Sequence, residues 1–313
     1  MLTQDDVEKV QCHAYVPGLE TSYGYIPSEA AGIAFVALFG LSGLVHIAQF
    51  CWKRTWWCSL FTIGCLVEVL GWSGRLWASQ CPYNSTAFMI QISTLIIAPT
   101  FFTAGIYVLL GRFIQLFGPK SSILSPKQYL WIFCSCDFIS LVVQAAGGGM
   151  ASSESDGGNT APGTNTMVAG IIFQLVSISI FVFFAVDFLR RASRLGMLKS
   201  VMKGPLTPLL AAMVTSVLVI YIRSIYRTVE LVQGWSGYLI THEIYFVILD
   251  GVMMVLAGAV FNFCHPGWLL PSDSIFVRPK YQDTVEMNDP ETQQLRENTE
   301  YAPYASPERF YGA

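Results

Sequence analysis

Residues 27–54 read PSEAAGIAFVALFGLSGLVHIAQFCWKR: a polar start, a long run of apolar side chains and two basic residues at its end. A helix of about 20 apolar residues spans the ~30 Å hydrocarbon core of a bilayer, and this run is long enough to do so. Six further runs repeat the pattern along the chain. The sequence therefore predicts seven transmembrane helices at 27–50, 57–78, 86–111, 127–149, 167–189, 206–233 and 239–264. The predicted fold class is an all-α integral membrane protein, a seven-transmembrane helix bundle.

Lysine and arginine are confined to alternate connections between these segments. The first, third and fifth connections contain Lys53, Arg54, Arg112, Lys120, Lys127, Arg190, Arg191, Arg194, Lys199 and Lys203. The second, fourth and sixth contain none, while Lys9 alone precedes the first segment, and Arg278 and Lys280 follow the last. Cytoplasmic loops of membrane proteins carry the positive excess. The pattern therefore predicts an exoplasmic N-terminus and a cytoplasmic C-terminus.

The composition is that of a chain that lies mostly within a membrane. Hydrophobic residues make up 53% of the 313 residues and charged residues only 12%, against about 25% charged residues in a soluble domain. We expect an exoplasmic segment over 1–26, the seven-helix bundle over 27–264 and a disordered cytoplasmic tail over 265–313. Residues 150–166, rich in Ser, Gly and Asn, are expected to form a flexible exoplasmic loop.

Two of the eight cysteines stand apart from the rest. Cys12 and Cys81 fall on the predicted outer side, where oxidation is favoured, so we expect them to form a disulfide. The other six lie in or near the cytoplasmic halves of the helices and are expected to pack as small apolar side chains. Asn84-Ser85-Thr86 is a weak glycosylation site, because it lies so close to the membrane.

Eight charged side chains fall well inside the predicted helices, where a charge is costly and its presence indicates function or pairing. They are Glu68, Arg75, Asp137, Arg223, Arg227, Glu230, Glu243 and Asp250. Three arginines against five acids leave a formal net charge of −2 within the bundle. An unpaired buried charge costs several kcal/mol. Some of these acids must therefore be protonated or face a cation that the chain itself does not supply.

These residues divide into candidates for ligand binding and candidates for structural ion pairs. The acids near the predicted midplane, which suit an amine head group, are Glu68, Asp137 and Asp250. The further polar residues expected to bind the same ligand are Gln91, Gln144, Gln174 and Arg223. The residues expected to form ion pairs that fix helix packing are Arg75, Arg227, Glu230 and Glu243. The alternative is that all eight charges are structural.

Several function classes lack the residues that they require. Segment 239–264 has no lysine for a retinal Schiff base, and the four histidines fall on both sides of the bilayer, so they cannot share a metal. Neither a phosphate-binding Gly-x-x-x-x-Gly-Lys-[Ser/Thr] loop nor a Gly-x-Ser-x-Gly elbow occurs. The common receptor motifs at the ends of the third and seventh segments are missing too. We therefore expect no enzyme activity, no metal, no cofactor and no nucleic-acid partner.

Polar motifs recur along the predicted helices. They include Glu68-x-x-Gly71-x-x-x-Arg75, Asp137-x-x-Ser140-x-x-x-Gln144, Gly170-x-x-x-Gln174 and Arg223-x-x-Tyr226-Arg227-x-x-Glu230. Further matches are Tyr25-Ile-Pro-Ser28, Glu243 and His265-Pro266. This set resembles the fungal lipid-translocating exporter family, seven-helix proteins linked to aminocholesterol resistance. The resemblance covers residues 25–270 and leaves out the N-terminus and the tail.

The resemblance implies a protein of the fungal plasma membrane, or of another endomembrane, that exports or flips amphipathic lipids. The substrates that it implies are sphingoid long-chain bases, aminosterol-like compounds and other toxic amphiphiles, so the expected partner is an amphipathic or sterol-like lipid. An amine head group would then meet Glu68, Asp137 or Asp250. The alternative is a receptor-like sensor of lipid or stress that confers resistance by signalling without transport.

Overall fold

A computed structural model describes residues 12–270, apart from 14, 17, 20, 22, 154–159, 197–203, 205 and 235–236. Within that part of the chain, seven helices are long and apolar enough to cross a membrane, and no strand is present. The predicted all-α seven-helix fold is therefore confirmed. The orientation of the bundle in the membrane stays a prediction from the basic residues.

The seven helices are α1 (Glu29–Lys53), α2 (Ser59–Gln80), α3 (Ser85–Phe117), α4 (Pro126–Ser153), α5 (Ala161–Arg194), α6 (Leu206–Val232) and α7 (Glu243–Leu269). Short 3₁₀ turns precede α2 at Trp56–Cys58 and follow α3 at Pro119–Ser121. α7 is irregular, because its α-helical start is followed by a π-helical turn at Val247–Val252 before the α-helix resumes.

Short polar side chains set the beginnings of two helices. The Ser28 hydroxyl accepts a hydrogen bond from the Ala31 amide at 3.4 Å, and the Asn84 side chain accepts one from the Ala87 amide at 3.1 Å. Ser and Asn are preferred at this position because they satisfy backbone donors that the first helical turn leaves free. α1 ends where Arg54 adopts the left-handed conformation, with a φ of 54°.

Several helix ends differ from the sequence-based expectations. α3 and α5 run beyond their apolar segments, so arginines that the sequence assigns to connections are helical: Arg112 lies within α3, and Arg191 and Arg194 lie in the last turn of α5. The expected flexible loop over 150–166 was wrong at both flanks, because 150–153 and 161–166 are helical. The seventh segment, predicted from 239, begins at Glu243, and residues 239–241 form a turn before it. Apolar runs mark only the part of a helix within the hydrocarbon core, and the polar turns beyond it carry no such signal.

The predicted tail over 265–313 is described only at its beginning. His265 Nδ1 accepts a hydrogen bond from the Gly267 amide at 3.1 Å and starts the last turn of α7. Residues 271–313, for which the composition predicts disorder, lie outside the described residues.

Each helix packs against its neighbours in sequence, and α1 also contacts α7. The helices therefore form a closed ring. α3 makes further contacts with α6 and α7 and so fills the middle of the ring. Large aromatic side chains occupy this centre, where Phe61, Phe102 and Phe261 are fully buried.

The bundle has two ends of different composition. At one end α1, α3, α5 and α7 begin and a disulfide joins Cys12 to Cys81; we name it the disulfide end. At the other end these helices finish, with basic residues such as Lys53 and Arg191 in their last turns; we name it the basic end. On the prediction from the basic residues, the disulfide end is the exoplasmic one.

The distribution of polarity is the inverse of that in a water-soluble protein. Glu68, Arg75 and Asp250 are buried, whereas Leu44 and Phe183 on the outer surface are 66% and 65% exposed. Hydrocarbon around a protein selects apolar side chains on its surface and polar groups inside, where they can pair. The outer surface is therefore suited to contact with lipid tails.

Glycines let α4 and α5 approach until their backbones touch. A Cβ atom at Gly147 would lie 2.5 Å from the Met167 amide nitrogen, and one at Gly170 would lie 2.7 Å from the Gln144 side chain. Small residues at such an interface are typical of helices that pack within a membrane. The contact holds α4 against α5 toward the disulfide end and so fixes the place of Gln144.

Candidate functional site

Three arginines inside the bundle each lie against an acid. The nitrogen–oxygen distances are 2.8 Å for Arg75–Glu243, 2.9 Å for Arg223–Asp250 and 2.5 Å for Arg227–Glu230. The members that the sequence assigns to ion pairs are Arg75, Arg227, Glu230 and Glu243. The other two, Arg223 and Asp250, are predicted ligand residues, and the structure places them against each other. Buried charges persist when they are paired in this way, and loss of one partner leaves the other unpaired.

The Arg75–Glu243 pair ties the N-terminal segment to α2 and α7 at the disulfide end. Arg75 donates to the Tyr25 hydroxyl at 2.7 Å, and Glu243 accepts from the Ser28 amide at 2.7 Å. Burial raises the pKa of Tyr25 and Arg75 acts in the opposite direction, with burial the larger effect. The Tyr25 hydroxyl therefore stays neutral and serves as an acceptor for the guanidinium.

Gln91, a predicted ligand residue, belongs to this same group. Its Oε1 accepts a hydrogen bond from the Tyr23 hydroxyl at 2.8 Å and lies 3.5 Å from Arg75 Nη1. The amide oxygen thus joins α3 to the N-terminal segment and to the Arg75 guanidinium. In this arrangement Gln91 helps to hold the N-terminal segment against the disulfide end of the bundle.

Pro99 explains how Arg223 is held. A proline has no amide hydrogen, so Pro99 cannot bond to the carbonyl four residues earlier, that of Leu95. The Leu95 carbonyl instead accepts a hydrogen bond from Arg223 Nη2 at 2.6 Å. Arg223 therefore bridges the backbone of α3 and the Asp250 carboxylate of α7.

Asp250 lies in the π-helical turn of α7. Such turns are rare and are found often at functional sites. This one brings Asp250 to Arg223 and also to within 3.7 Å of Arg227 Nε. The next residue is a glycine for a steric reason, because a Cβ atom at Gly251 would lie 2.7 Å from the Trp72 ring.

Two acids, Glu68 and Asp137, have no arginine of their own among the described residues, and they account for the formal net charge of −2 within the bundle. Glu68 on α2 is fully buried, and neither of its carboxyl oxygens has a hydrogen-bond partner among the described residues. It interacts electrostatically with Asp250, Arg223 and Arg227. Both arginines are already paired, so Glu68 is the unmatched member of this group.

Asp137 on α4 is held by hydroxyl groups rather than by a base. Its Oδ2 accepts hydrogen bonds from the Tyr107 hydroxyl at 3.0 Å and from Thr103 Oγ1 at 3.1 Å, both on α3. No basic side chain in the described part of the chain forms a salt bridge with it. Sequence reasoning missed Tyr107 and Thr103, although their spacing of four residues places them on one face of α3.

Gln144 and Gln174 meet where α4 packs on α5. Gln144 Nε2 donates to Ser140 Oγ at 2.7 Å and to Gln174 Oε1 at 3.1 Å. The Oε1 atom of Gln144 is buried and has no hydrogen-bond partner among the residues that the structure describes. Among these residues, Gln144 thus keeps one acceptor unused.

A cavity of about 840 Å³ lies between α3 and α4 toward the disulfide end, within the ~300–1,000 Å³ that is typical of small-molecule sites. Its mostly apolar walls include Phe88, Ile92, Ile96, Leu141, Gln144 and Gly148. Phe138 also lines it and is 67% exposed on the outer surface of the bundle. The cavity therefore opens toward the surrounding lipid.

Asp137 does not itself line this cavity, but its neighbours along α4 do. On α4, Asp137 is one helical turn (~5.4 Å) from Leu141, which lines the cavity, and Gln144 follows on the same face. On α3, Thr103 lies two turns beyond Ile96, another lining residue. The cavity, the Gln144 acceptor and the Asp137 carboxyl thus follow one another along the seam between α3 and α4.

The predicted ligand residues do not come together in one site. Those among α2, α6 and α7 are Glu68, Arg223 and Asp250. Those along α4 and its neighbours are Asp137, Gln144 and Gln174, and Gln91 joins the Arg75 group. The sequence shows that the three acids lie at a similar depth, but depth does not determine the direction in which each helix presents its side chain.

The segment before α1 is held against the disulfide end by covalent and hydrogen bonds. Cys12 and Cys81 form a disulfide, and the Tyr83 hydroxyl accepts a hydrogen bond from the Val16 amide at 3.0 Å. Asn84, the weak glycosylation site, is 7% exposed and caps α3. Its side chain has little access for a glycan in this position.

Comparison with known proteins finds relatives along most of the chain. The family model described as RTA1 like protein matches residues 61–273. The sphingoid long-chain base transporter RSB1 of Saccharomyces cerevisiae is 32% identical over an alignment that covers 83% of this chain and 78% of that protein. Protein RTM1 and protoporphyrin uptake protein 1 of the same yeast are 29% and 31% identical, over 76% and 64% of this chain and 89% and 66% of their own lengths. No solved structure matches the chain.

Proposed function

The chain belongs to the RTA1-like family, and from that premise we propose that it moves an amphipathic lipid with an amine head group across a membrane. The proposed substrate class is the sphingoid long-chain bases, because this chain covers 78% of a relative whose name carries that substrate. The resemblance to lipid-translocating exporters, drawn from the motifs, is confirmed at the level of the family.

One observation carries the proposal: a buried carboxyl group without a basic partner among the described residues lies about one helical turn from Leu141, in the lining of an apolar cavity that opens to lipid. An amphipathic amine needs an apolar surface for its chain and an anion for its head group. Asp137 supplies the anion, and the α3–α4 cavity, whose lining includes Leu141 about one turn further along α4, supplies the apolar surface. Asp250 does not suit this role, because Arg223 already neutralises it.

The hydroxyl groups around Asp137 suit a head-group site. Tyr107 and Thr103 both donate to Oδ2, and no hydrogen bond from the described residues reaches Oδ1. An ammonium group beside Oδ1 would take the place of the missing basic partner. The attraction of the two charges would then offset the cost of removing each from water.

We assign the seam between α3 and α4 as the route of the head group. The hydrocarbon chain would lie in the cavity or in the adjoining bilayer. The ammonium would pass the free Oε1 acceptor of Gln144 on its way to Asp137. On the predicted orientation, this route starts from the exoplasmic leaflet.

The test is the movement of a fluorescent sphingoid base in liposomes that contain only the purified protein. Asp137→Asn keeps the shape of the side chain and removes its charge. We expect the rate to fall by about tenfold, the equivalent of one charge-assisted hydrogen bond of ~1.4 kcal/mol. The matched control is Asp187→Asn, the same change at a partly exposed acid that pairs with Arg191, and it should leave the rate unchanged. A wild-type rate in Asp137→Asn would exclude this carboxyl as the head-group site.

The same liposomes distinguish transport from signalling. Failure of the pure protein to move lipid, together with amine sensitivity of cells that lack it, would favour the receptor-like sensor. In cells we propose a plasma-membrane location and resistance to toxic long-chain amines as the physiological result.

A further inference from the structure

A second polar region lies among α1, α2, α6 and α7, helices that do not line the α3–α4 cavity. From the disulfide end inward, its charged groups are Arg75 with Glu243, Arg227 with Glu230, Arg223 with Asp250, and then Glu68. The proposed route of the head group uses none of them. A chain of charged groups in the core of a membrane bundle is a functional hypothesis by default.

The charge of this region is balanced only when Glu68 carries a proton. Each of the three arginines has an acid of its own, so an ionised Glu68 would add an uncompensated negative charge to a fully buried site. Such a charge is far more costly to bury than a neutral carboxyl group. Charge balance therefore points to a protonated Glu68.

Few titratable groups face Glu68. α7 contributes Asp250, α6 contributes Arg223 and Arg227, and α2 itself contributes Cys65. α1 and α3 pack against this part of α2 through uncharged side chains in the described residues. The charge state of Glu68 is therefore set by one acid and two arginines.

Polar side chains continue from Glu68 toward the basic end. Cys65, one turn from Glu68, donates to Ser42 Oγ at 3.7 Å, and Asn262 Nδ2 donates to the same hydroxyl at 2.6 Å. Gln49 Nε2 then donates to the Asn262 carbonyl at 2.7 Å. These contacts alternate between α1 and α7 and lead away from the bilayer centre.

Four buried polar atoms on the α1 and α7 residues of this stretch have no hydrogen-bond partner among the described residues. They are His46 Nδ1, Gln49 Oε1, Asn262 Oδ1 and His265 Nε2. Buried polar groups are nearly always satisfied, and ordered water does so where the protein offers no partner. A row of such atoms is the lining expected of a hydrated path. It reaches the basic end, where Lys53 lies 5.9 Å from the Trp268 ring.

We propose that Glu68 binds and releases a proton through the polar row from Ser42 to His265, and that this proton is exchanged for the lipid amine. The exchange, unlike the proton site, rests on the proposed function. On release the proton passes to water at the basic end and leaves a carboxylate, and no other bond changes. Binding of one ammonium at Asp137 and loss of one proton from Glu68 leave the net charge of the bundle unchanged, which is the electrostatic basis of the exchange.

Infrared spectroscopy of the purified full chain tests the proton on Glu68 directly, since a protonated carboxyl group has a carbonyl band that a carboxylate lacks. We expect this band in the wild type at neutral pH, its loss in Glu68→Gln and its retention in Asp137→Asn. An unchanged band in Glu68→Gln would overturn the proposal. Where Glu68→Gln does not fold, Glu68→Asp replaces it: the band must shift, and an unshifted band overturns the proposal equally.

Transfer to D₂O tests the polar row, because the band shifts at the rate at which the proton exchanges. Ser42→Ala and His46→Phe remove polar groups of the row and should slow the shift by about tenfold, equivalent to ~1.4 kcal/mol on the barrier. Cys51→Ser changes an exposed residue of the same helix and should leave the rate as it is. Equal rates in all three variants would place the route of the proton elsewhere.

A pH gradient across the liposomes separates the exchange from transport itself. After subtraction of protein-free liposomes, the gradient should accelerate movement of the sphingoid base by the wild type and have no effect on Glu68→Gln. The same gradient dependence in both proteins would refute the exchange and leave transport standing. A wild type that moves no lipid would refute the proposed function, and the infrared result on Glu68 would still decide the proton site.

Discussion

Arg223 holds two elements at once, through the Asp250 carboxylate of α7 and the Leu95 carbonyl of α3. Without it the buried Asp250 carboxylate would lose the nearer of its two cations, and the buried Leu95 carbonyl would lose its donor. Lysine would keep the positive charge, but its single ammonium lacks the planar fork that reaches both partners. At this position the positive charge therefore contributes more to stability than the shape of the guanidinium group does.

Arg223→Ala is expected to lower the free energy of unfolding by about 3–5 kcal/mol, because Asp250 then keeps only the more distant Arg227, which already pairs with Glu230. Arg223→Lys should cost less, since it retains the charge. Thermal unfolding in detergent, with the yield of monodisperse protein, measures both. Arg191→Ala serves as the control, because its partly exposed pair is worth about 0–1 kcal/mol. Equal losses for Arg223→Ala and Arg191→Ala would contradict the assignment.

The charged residues of the site can be identified from the sequence. The residues with which each forms an ion pair or hydrogen bond cannot. The excess of two acids follows from composition and helix positions alone. That these two are Glu68 and Asp137 depends on how each helix is rotated about its axis, which apolar runs leave undetermined because all faces of these helices are rich in apolar residues. The hydroxyl donors to Asp137 could have been suspected from the spacing of Thr103 and Tyr107, but nothing in the sequence shows that α3 faces α4 there.

At the scale of helices, the α4–α5 interface depends on contact between backbones. Gly147 has no room for a side chain, whereas Gly149, two residues on, has no atom within 4 Å of its would-be Cβ. The same short stretch therefore contains a glycine required by packing and a glycine that packing does not require.

Gly147→Ala is expected to destabilise the protein by about 1–3 kcal/mol, because the methyl group overlaps the backbone of α5. Gly149→Ala should be neutral or stabilising by up to ~1 kcal/mol, since alanine favours the helix. The two melting temperatures, measured side by side in detergent, are the readout. Coincident melting curves would show that the close approach of α4 and α5 does not limit stability.

The apolar runs predict how many helices there are. They do not predict where the helices end or where a helix is irregular. The length of each run fixes the number of spans, while the ends of α3 and α5 lie in polar turns that the runs do not cover. The π-helical turn of α7 is invisible in sequence, because Val247–Val252 reads as an ordinary apolar stretch with one acid. The turn places Asp250 against two arginines of α6, a tertiary contact that the sequence does not show.

At the scale of the whole molecule, the two proposed paths lie on different helices. The head-group route follows α3 and α4, and the polar row follows α1 and α7 beside α2. Helix α6 links them, because Arg223 touches α3 at Leu95 and α7 at Asp250. Movement of α6 would therefore change contacts with both α3 and α7.

The orientation of this arrangement is open to a direct test. A tag placed within 154–159, between α4 and α5, is expected to react with impermeant reagents on intact cells, because the second, fourth and sixth connections contain no Lys or Arg. A C-terminal tag should react only after permeabilisation. The reverse pattern would invert the bundle and with it the direction of the proposed lipid and proton paths.

Pro99 weakens α3 as a helix and at the same time allows Arg223 to be held firmly. Both effects arise because proline has no amide hydrogen for the Leu95 carbonyl. Any other residue at 99 would restore an amide hydrogen for the Leu95 carbonyl and so introduce a rival to the guanidinium. A substitution that stabilises the helix α3 by itself would then weaken the contact between Arg223 of α6 and α3. Asp250 would be less well neutralised as a result. Local helix stability and charge balance in the core thus place opposite demands on a single position, and proline at 99 meets the second at the expense of the first.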